Sequence, residues 1–346
     1  MTDILLPPAL DVASLRPRYI DNTGVSTGTY SGVTRTASLG GDKLAMSLTF
    51  TLQGGSSSTG RELRAMMQAF LARLRGKQNR FYFSDPSYVQ RGSFATAELL
   101  ANGTFSNGTT GWSGTGGNTI TVSSRTLRST LTSVGADQSV RAAATVSSVV
   151  NGNAYAARMM VNAGRGTMRY NLYAGWSAGA ADINSSGIQT AAGLVTIANQ
   201  YMSNAPVHIS LLDAISGRSV AGFQEVSYAS LARCALANGA GQTGSGLYIY
   251  GLPLSTSDIL MTGDQVEVIT SLGSELKILT AALNSNSSGE GHMLFEPPLR
   301  GTVANAAAVI IYKPMGRWIL AGNAPEWNNA PGMLTSATLD FEEAVA

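Results

Sequence analysis

One segment of this 346-residue chain has the periodicity of an amphipathic helix, and the segments on both sides have the periodicity of strands. Residues 59–86 read TGRELRAMMQAFLARLRGKQNRFYFSDP. Ser58 or Thr59 can cap the start of a helix here, and Gly76 favours its end. The apolar residues recur at helical spacing and form one stripe, which consists of Leu63, Met66, Met67, Phe70, Leu71 and Leu74. The sequence therefore predicts a single helix laid on a sheet.

Strand patterns surround this helix. Residues 44–52, LAMSLTFTL, place their larger apolar residues at alternate positions, as a half-buried strand does. Arg80–Phe83 is predicted to be a short strand, and Asp85 with Pro86 a turn. Residues 1–18 combine prolines with aliphatic residues, so we expect an extended arm there.

The composition favours a mainly β protein. Charged residues make up only 13% of the chain, and it contains 39 glycines, which suits many short strands joined by turns. The net charge of +2 does not indicate the strongly basic surface that is typical of nucleic-acid-binding proteins. The single cysteine, Cys234, excludes an internal disulfide and is expected to be a small buried residue.

The chain shows neither a membrane span nor a secretory signal. It has no run of 18 apolar residues, which argues against membrane insertion. Its first residues lack a basic region and a cleavage pattern. We therefore expect synthesis in a cytoplasm.

The composition and the periodicity of the sequence change at residue 97 and change back near residue 235. Between these points acids are scarce, no helical period occurs, and short strand-like runs recur at the spacing of a β-sandwich. We predict that residues 97–234 form a sandwich inserted into a loop of a discontinuous domain, which consists of residues 1–96 and 235–346.

Three short glycine-containing segments match the sequence patterns of nucleotide-binding or hydrolase motifs but lack the helix that those motifs need. Residues 239–244 fit GxGxxG, but a strand-like run follows where the motif needs a helix. Residues 24–28 and 175–179 fit GxSxG, and neither is followed by a helix. Ser177 is the better candidate nucleophile, because Asp182 and His208 follow it in hydrolase order. Turns are the favoured interpretation of all three motifs.

The chain offers few residues that could support other catalytic chemistry or bind a metal. The two histidines, His208 and His292, have no second ligand at metal spacing. Paired carboxylates of a glycosidase could still meet in space, but the acids of 97–234 are only Glu98, Asp137, Asp182, Asp213 and Glu225. We expect no enzyme activity, no metal and no cofactor.

Two segments of the insert resemble jelly-roll carbohydrate-binding modules. Residues 102–112, NGTFSNGTTGW, are similar to the opening of such modules, and residues 223–228, FQEVSY, are similar to their last strand. The resemblance implies a jelly-roll sandwich in which Phe105 and Trp112 belong to the core. Sugar rings stack on exposed aromatic side chains, and polar side chains bind their hydroxyls. The candidate glycan-binding residues are Trp176, Tyr173, Tyr170, Arg158, Arg169 and Gln138.

The rest of the chain resembles the distal tail (Dit-like) proteins of long-tailed bacteriophages. The resemblance rests on the order and spacing of short segments at 74–76, 80–83, 85–86, 238–246, 263–264 and 297–300. Members of that family can carry a carbohydrate-binding module inserted in this framework.

This second resemblance implies a sandwich-plus-helix belt domain that forms a ring of six copies. The ring joins the tail tube to the tip or baseplate proteins of the virion, and the insert projects towards host-surface polysaccharide. Interfaces favour Trp and Arg. The candidate assembly residues are Arg61, Arg64, Arg73, Arg75, Trp318 and Trp327, together with the N-terminal arm.

Two other interpretations stay open. One is a free-standing carbohydrate-binding adhesin, against which the missing secretion signal counts. The other is a polysaccharide hydrolase that uses the insert to bind its substrate, against which the shortage of placed acids counts.

Overall fold

The computed structural model describes residues 3–7, 10–27, 34–38, 41–52, 58–94, 96–115, 118–131, 141–165, 170–175, 184–185, 193–201, 207–213, 222–322 and 335–344. Over these residues the protein is mainly β and has one helix. The predicted fold class is confirmed.

The elements follow one another along the chain in three groups. The first group is β1 (Asp3–Leu5), β2 (Val12–Ile20), β3 (Thr23–Thr27), β4 (Thr34–Ser38), β5 (Lys43–Leu52), α1 (Ser58–Leu74) and β6 (Arg80–Phe83). The second group is β7 (Trp112–Thr115), β8 (Asn118–Ser123), β9 (Thr126–Leu131), β10 (Arg141–Val146), β11 (Ala154–Arg165), β12 (Tyr170–Gly175), β13 (Asn184–Ser185), β14 (Gly193–Gln200), β15 (Val207–Asp213) and β16 (Gly222–Ala237). The third group is β17 (Gln242–Tyr250), β18 (Gln265–Thr270), β19 (Gly273–Leu279), β20 (Gly291–Val303), β21 (Ala308–Ile310), β22 (Gly316–Leu320) and β23 (Thr335–Glu343).

Six strands from both ends of the chain form the first sheet, in the order β1-β6-β22-β23-β5-β2. The predicted helix α1 shares a core with this sheet. Phe81 on β6 lies between Phe70 of the helix and Phe341 of β23, with ring centroids 5.4 Å and 4.8 Å away. Met67 is 1% exposed in this core. Met66 is 37% exposed, so its assignment to the buried stripe was wrong.

The N-terminal segment is part of the first sheet and not a free arm. β1 pairs in parallel with β6, and β2 pairs in antiparallel with β5. Ile4 and Leu10 are buried in the core of this sheet. Burial of these aliphatic side chains ties residues 3–7 and 10–20 to the framework, which corrects the expectation of an extended arm.

The helix ends at a left-handed turn, as the glycine there indicates. Arg75 and Gly76 have φ angles of 49° and 64°, and Gly76 can adopt this region without steric cost. The amide of Asn79 then donates to the carbonyl of Leu74 at 3.0 Å. The chain reverses and enters β6, which places the predicted strand 80–83 directly under the helix.

The second group of strands forms a β-sandwich. One sheet has the order β13-β12-β15-β10-β7, and the facing strands have the order β14-β11-β16-β9-β8. Phe105 and Trp112 are buried in the core between them, with ring centroids 5.3 Å apart. Their predicted core position is confirmed. The recurring short strands expected in this part of the chain are observed.

The third group closes into a barrel that the sequence did not reveal. The strands follow the order β16-β17-β20-β19-β18-β21, and β21 also pairs with β16. Buried aliphatic residues such as Leu247, Val268 and Ile249 fill this barrel. Gly92 passes so close that a Cβ there would lie 2.1 Å from the carbonyl oxygen of Ile259.

One strand belongs to both the sandwich and the barrel. β16 pairs with β11 in the sandwich and with β17 and β21 in the barrel. The predicted boundary between residues 234 and 235 therefore falls inside a continuous strand. Cys234 on this strand is buried and free, as expected. The division into 1–96 with 235–346, and 97–234, remains a prediction.

Two adjacent methionines test the position of the helix. Met67→Ala removes a buried side chain, so it should lower the free energy of unfolding by about 2–5 kcal/mol. Met66→Ala is the matched control and should cost well under about 1 kcal/mol, because its side chain is largely solvated. Urea unfolding followed by circular dichroism measures both. Equal costs would contradict the observed orientation of the helix.

Candidate functional site

Most predicted glycan-binding side chains lie outside the part of the chain that the structure describes. Trp176, Arg169 and Gln138 fall in undescribed segments. Tyr170 and Tyr173 lie on β12, where the backbone is described and the side chains are not. In the backbone pairing, Tyr173 is opposite Ser210 of β15. The predicted aromatic site in the sandwich therefore stays a prediction.

Arg158 is the exception, and its predicted role is corrected. Its side chain is only 1% exposed. One guanidinium nitrogen, Nη1, donates to Glu267 Oε2 at 3.0 Å. The other, Nη2, donates to the hydroxyl of Tyr228 at 3.3 Å and to the carbonyl of Tyr312 at 3.2 Å. A buried guanidinium with these partners offers no donor to a ligand at the surface.

Glu267 is the centre of this buried cluster and joins three parts of the fold. It lies on β18 of the barrel, whereas Arg158 lies on β11 of the sandwich. Its second contact is the amide of Met315, which donates to Oε2 at 2.9 Å just before β22 of the first sheet. The hydroxyl of Ser274 donates to its other oxygen at 2.5 Å. Burial alone would lower the pKa of Arg158, but the Tyr228 hydroxyl and the Glu267 carboxylate raise it by more, so the guanidinium stays charged.

A second buried pair lies in the barrel wall. Lys277 Nζ is 2.8 Å from Glu275 Oε2 and donates to the carbonyl of Pro298 at 3.0 Å. The amides of Arg300 and Gly301 also donate to the Glu275 carboxylate, at 3.1 Å and 2.9 Å. Burial would raise the pKa of Glu275, but the charge of Lys277 and these hydrogen bonds outweigh it and lower the pKa.

Asp264, within one of the framework segments that carry the resemblance, is a structural clamp. It is completely buried. Its carboxylate accepts hydrogen bonds from the amides of Arg91, Gly92 and Met261 at 3.1 Å, 3.2 Å and 2.8 Å. It therefore fixes the segment that connects the first sheet to the sandwich.

The predicted assembly residues have different environments. Arg73 and Arg75 are exposed near the end of the helix, and Arg64 is half-buried. The side chain of Arg61 is not described, and Trp327 lies outside the described residues. Trp318 is only 4% exposed and packs in the core of the first sheet. Its ring is covered within this chain, which corrects its assignment as a contact to a partner.

The glycine motifs show no catalytic geometry in the described residues. Residues 239–244 lead into β17, a strand, so the helix of a nucleotide-binding motif is absent there. Residues 24–27 lie in or beside β3, while 176–179 fall outside the described residues. The exposed ring of His292 stacks on Tyr248 at 4.3 Å. The side chain of His208 is not described.

The described residues contain no group of three or more His, Cys, Asp or Glu side chains close enough to hold a metal ion. The one helix among these residues, α1, is not long and apolar enough to span a membrane.

An open polar cleft lies where the sandwich meets the barrel. Its volume is about 410 Å³, within the usual range of ligand pockets. The sandwich contributes Gly152 and Gln200. The barrel side contributes Asn238, Tyr250, Gly251, Leu252, Leu254, Ser288, Glu290 and Asn305. Sequence reasoning missed this site, because its residues come from segments far apart in the chain.

Comparisons with known proteins give only weak likenesses. No protein-family model matches the sequence, and no curated protein sequence matches it. A structure described as CBM4 is 12% identical, with a TM-score of 0.30, over 39% of this chain and 99% of that chain. The CBM22-1 xylan-binding domain of Paenibacillus barcinonensis Xyn10C is 12% identical, with a TM-score of 0.29, over 42% of this chain and 97% of that domain. The Dit protein (gp 19.1) of phage SPP1 is 10% identical, with a TM-score of 0.15, over 64% of this chain and 93% of that chain. Likenesses of this size do not establish a function.

The buried pair at Glu267 predicts a large effect of single substitutions. Arg158→Met leaves a buried carboxylate without its countercharge, so it should cost about 3–5 kcal/mol of stability in urea unfolding. The exposed pair of Arg128 and Glu225, 2.9 Å apart, is the control. Arg128→Met should cost at most about 1 kcal/mol. A similar, small cost at both positions would show that Arg158 is not held as described.

Glu275 predicts a pH dependence of stability. Its folded-state pKa is lowered, so its contribution is complete at neutral pH and is lost as the pH falls below the unfolded value of about 4.3. Urea midpoints of wild type and Glu275→Gln should differ most at pH 7, and the difference should shrink towards pH 3. The control Glu62→Gln, at an exposed helix position, should change the urea midpoint at pH 7 by little. A constant difference for Glu275→Gln across this range would contradict the prediction.

Proposed function

We propose that the protein is a structural component of a bacteriophage tail tip. Six copies form a ring that joins the tail tube to the tip or baseplate proteins of the virion. The sandwich of residues 97–234 projects from this ring and binds host-surface glycans. The support from sequence is the order and spacing of the framework segments. The proposal includes no catalytic step, cofactor or metal.

The observation that carries the ring proposal is the unfinished edge of the first sheet. β2 is the last strand at this edge and pairs only with β5 among the described strands. It is nine residues long, and most of its side chains are exposed. An unpaired edge strand of this length is a template for a strand of another chain. A neighbouring copy of the ring would supply that partner.

The hairpin after β2 supports the same conclusion. β3 and β4 pair with each other and with no other described strand. An isolated two-stranded hairpin is at best marginally stable in water. Val25 on β3 is 65% exposed. Contact with a neighbouring copy would cover this side chain and stabilise the hairpin.

The outer face of the helix offers a second contact surface. Ala65, Ala69 and Ala72 are exposed on the side opposite the core, next to the exposed Met66 and Arg73. Small side chains at this spacing let another surface approach closely. The predicted contacts of Arg73 and Arg75 would lie beside this surface.

The second candidate is a free-standing carbohydrate-binding protein that acts as a monomer. The polar cleft between the sandwich and the barrel favours it, because such a site requires no assembly. The mass of the particle, measured for the protein alone and with the tail-tube protein present, separates the two candidates.

The ring proposal predicts a particle of six copies. Light scattering over a concentration series should give a mass near six times 35.9 kDa. Val25→Lys places a charge on the exposed hairpin and should raise the concentration needed for half-assembly about tenfold or more, without lowering the melting temperature. Val150 is 57% exposed in the sandwich. Val150→Lys is therefore the matched control and should assemble like wild type.

Wild type that stays monomeric with the tail-tube protein present would overturn the ring proposal. Equal loss of assembly in both lysine variants would show that β3 has no special part in the contact.

A further inference from the structure

We propose that the cleft between the sandwich and the barrel is a binding site for a neutral saccharide. The inference rests on the proposed glycan-binding role and gives it a second location, distinct from the aromatic residues predicted at 170–176. The cleft combines hydrogen-bonding side chains, an adjacent exposed aromatic pair and a lining without cations.

The polar side chains of the cleft suit the hydroxyls of a sugar. Glu290 holds two amides, since Asn238 Nδ2 and Asn286 Nδ2 donate to its oxygens at 3.1 Å each. Asn305 Oδ1 accepts from the amide of Gly239 at 3.0 Å. The amide nitrogen of Asn305 and the hydroxyl of Tyr250 are bonded to none of the described residues. Fixed amides and a carboxylate with spare acceptor capacity can each bind a hydroxyl.

An aromatic surface adjoins these polar groups. Tyr248 and Tyr250 lie on the same side of β17, because they alternate with Leu247 and Ile249, which are buried in the barrel. Tyr248 is 58% exposed, and its ring stacks on His292 with centroids 4.3 Å apart and planes inclined by 22°. The stack gives a rigid apolar platform against which the C–H face of a pyranose can pack.

The charges of the cleft select against anionic sugars. Among the described residues that line the cleft, Glu290 is the only charged one. Acidic saccharides, such as uronates or phosphate-bearing polymers, would be repelled by its carboxylate and would find no countercharge. A neutral saccharide is therefore the ligand class that fits.

The two walls of the cleft are held together closely. Gly251 has a φ of 83°, and a Cβ there would lie 3.2 Å from Cβ of Ala154 on β11. The barrel backbone therefore touches the sandwich at the base of the cleft. The Arg158–Glu267 pair fixes the same two units. A site with walls fixed in this way loses little entropy on binding.

The test measures binding of the full chain to saccharide probes by isothermal titration calorimetry. The neutral probes are a soluble β-glucan, a galactomannan and an N-acetylglucosamine tetramer, and polygalacturonate is the anionic probe. At least one neutral probe should bind, and polygalacturonate should bind more weakly.

Tyr250→Phe, which removes only the hydroxyl, should weaken binding about fivefold. Tyr248→Ala should weaken it about tenfold. The control Val89→Ala changes a side chain that is 76% exposed and lies outside the cleft lining and the proposed ring contacts, so it should bind like wild type.

Each alternative outcome decides a different question. Failure of every neutral probe to bind, or stronger binding of polygalacturonate, would overturn the inference. Binding that is unchanged in both cleft variants but lost in Trp176→Ala would overturn it and leave the predicted sandwich site in place. Cleft-dependent binding by a protein that never assembles with its tail partner would support the inference and overturn the ring proposal.

Discussion

The structure depends on one buried carboxylate. Glu267 belongs to the barrel, is bonded to Arg158 of the sandwich, and accepts the amide of Met315 at the start of the return to the first sheet. A buried ion pair adds little net stability, because desolvation offsets much of the attraction, but breaking it is costly. The Arg158–Glu267 pair therefore acts mainly by fixing the relative positions of the three units. Any other compact arrangement that buries one of these charges without the other is penalised, so the pair favours the observed arrangement of the three units.

Apolar contacts reinforce this position, and together they fix what the molecule can present to a partner. Tyr82 of the first sheet packs with Met160 and Tyr228 of the sandwich. The sandwich is thus in direct contact with the framework, and the cleft beside it has two fixed walls. The free edge of β2 belongs to the same first sheet. In the proposed ring, every copy would therefore hold its cleft at the same angle to its neighbours.

The sequence predicted those features that depend on local pattern. The helix follows from its periodicity, and the strand at 80–83 from its residue types. The core positions of Phe105 and Trp112 were implied by the resemblance of residues 102–112 to carbohydrate-binding modules. The barrel was missed because its closure depends on pairing between β16 and β21, more than 70 positions apart. Arg158 and Trp318 were misplaced because residue type alone does not distinguish a ligand or interface residue from a buried one. The charges within the apolar runs QVEVIT and GSELKIL were a usable signal of buried pairs.

The strand shared by the sandwich and the barrel has a consequence for how such a protein can change. Ala229 and Leu231 face the sandwich core, and Ala235 and Ala237 face the barrel core from the same side of β16. Side chains of a strand alternate between its two faces, so adding or removing one residue between these pairs would turn one set outwards. Recombination that exchanges the sandwich for another module must therefore preserve the parity of this strand. An even number of inserted residues is compatible with both cores, whereas an odd number requires a bulge to compensate.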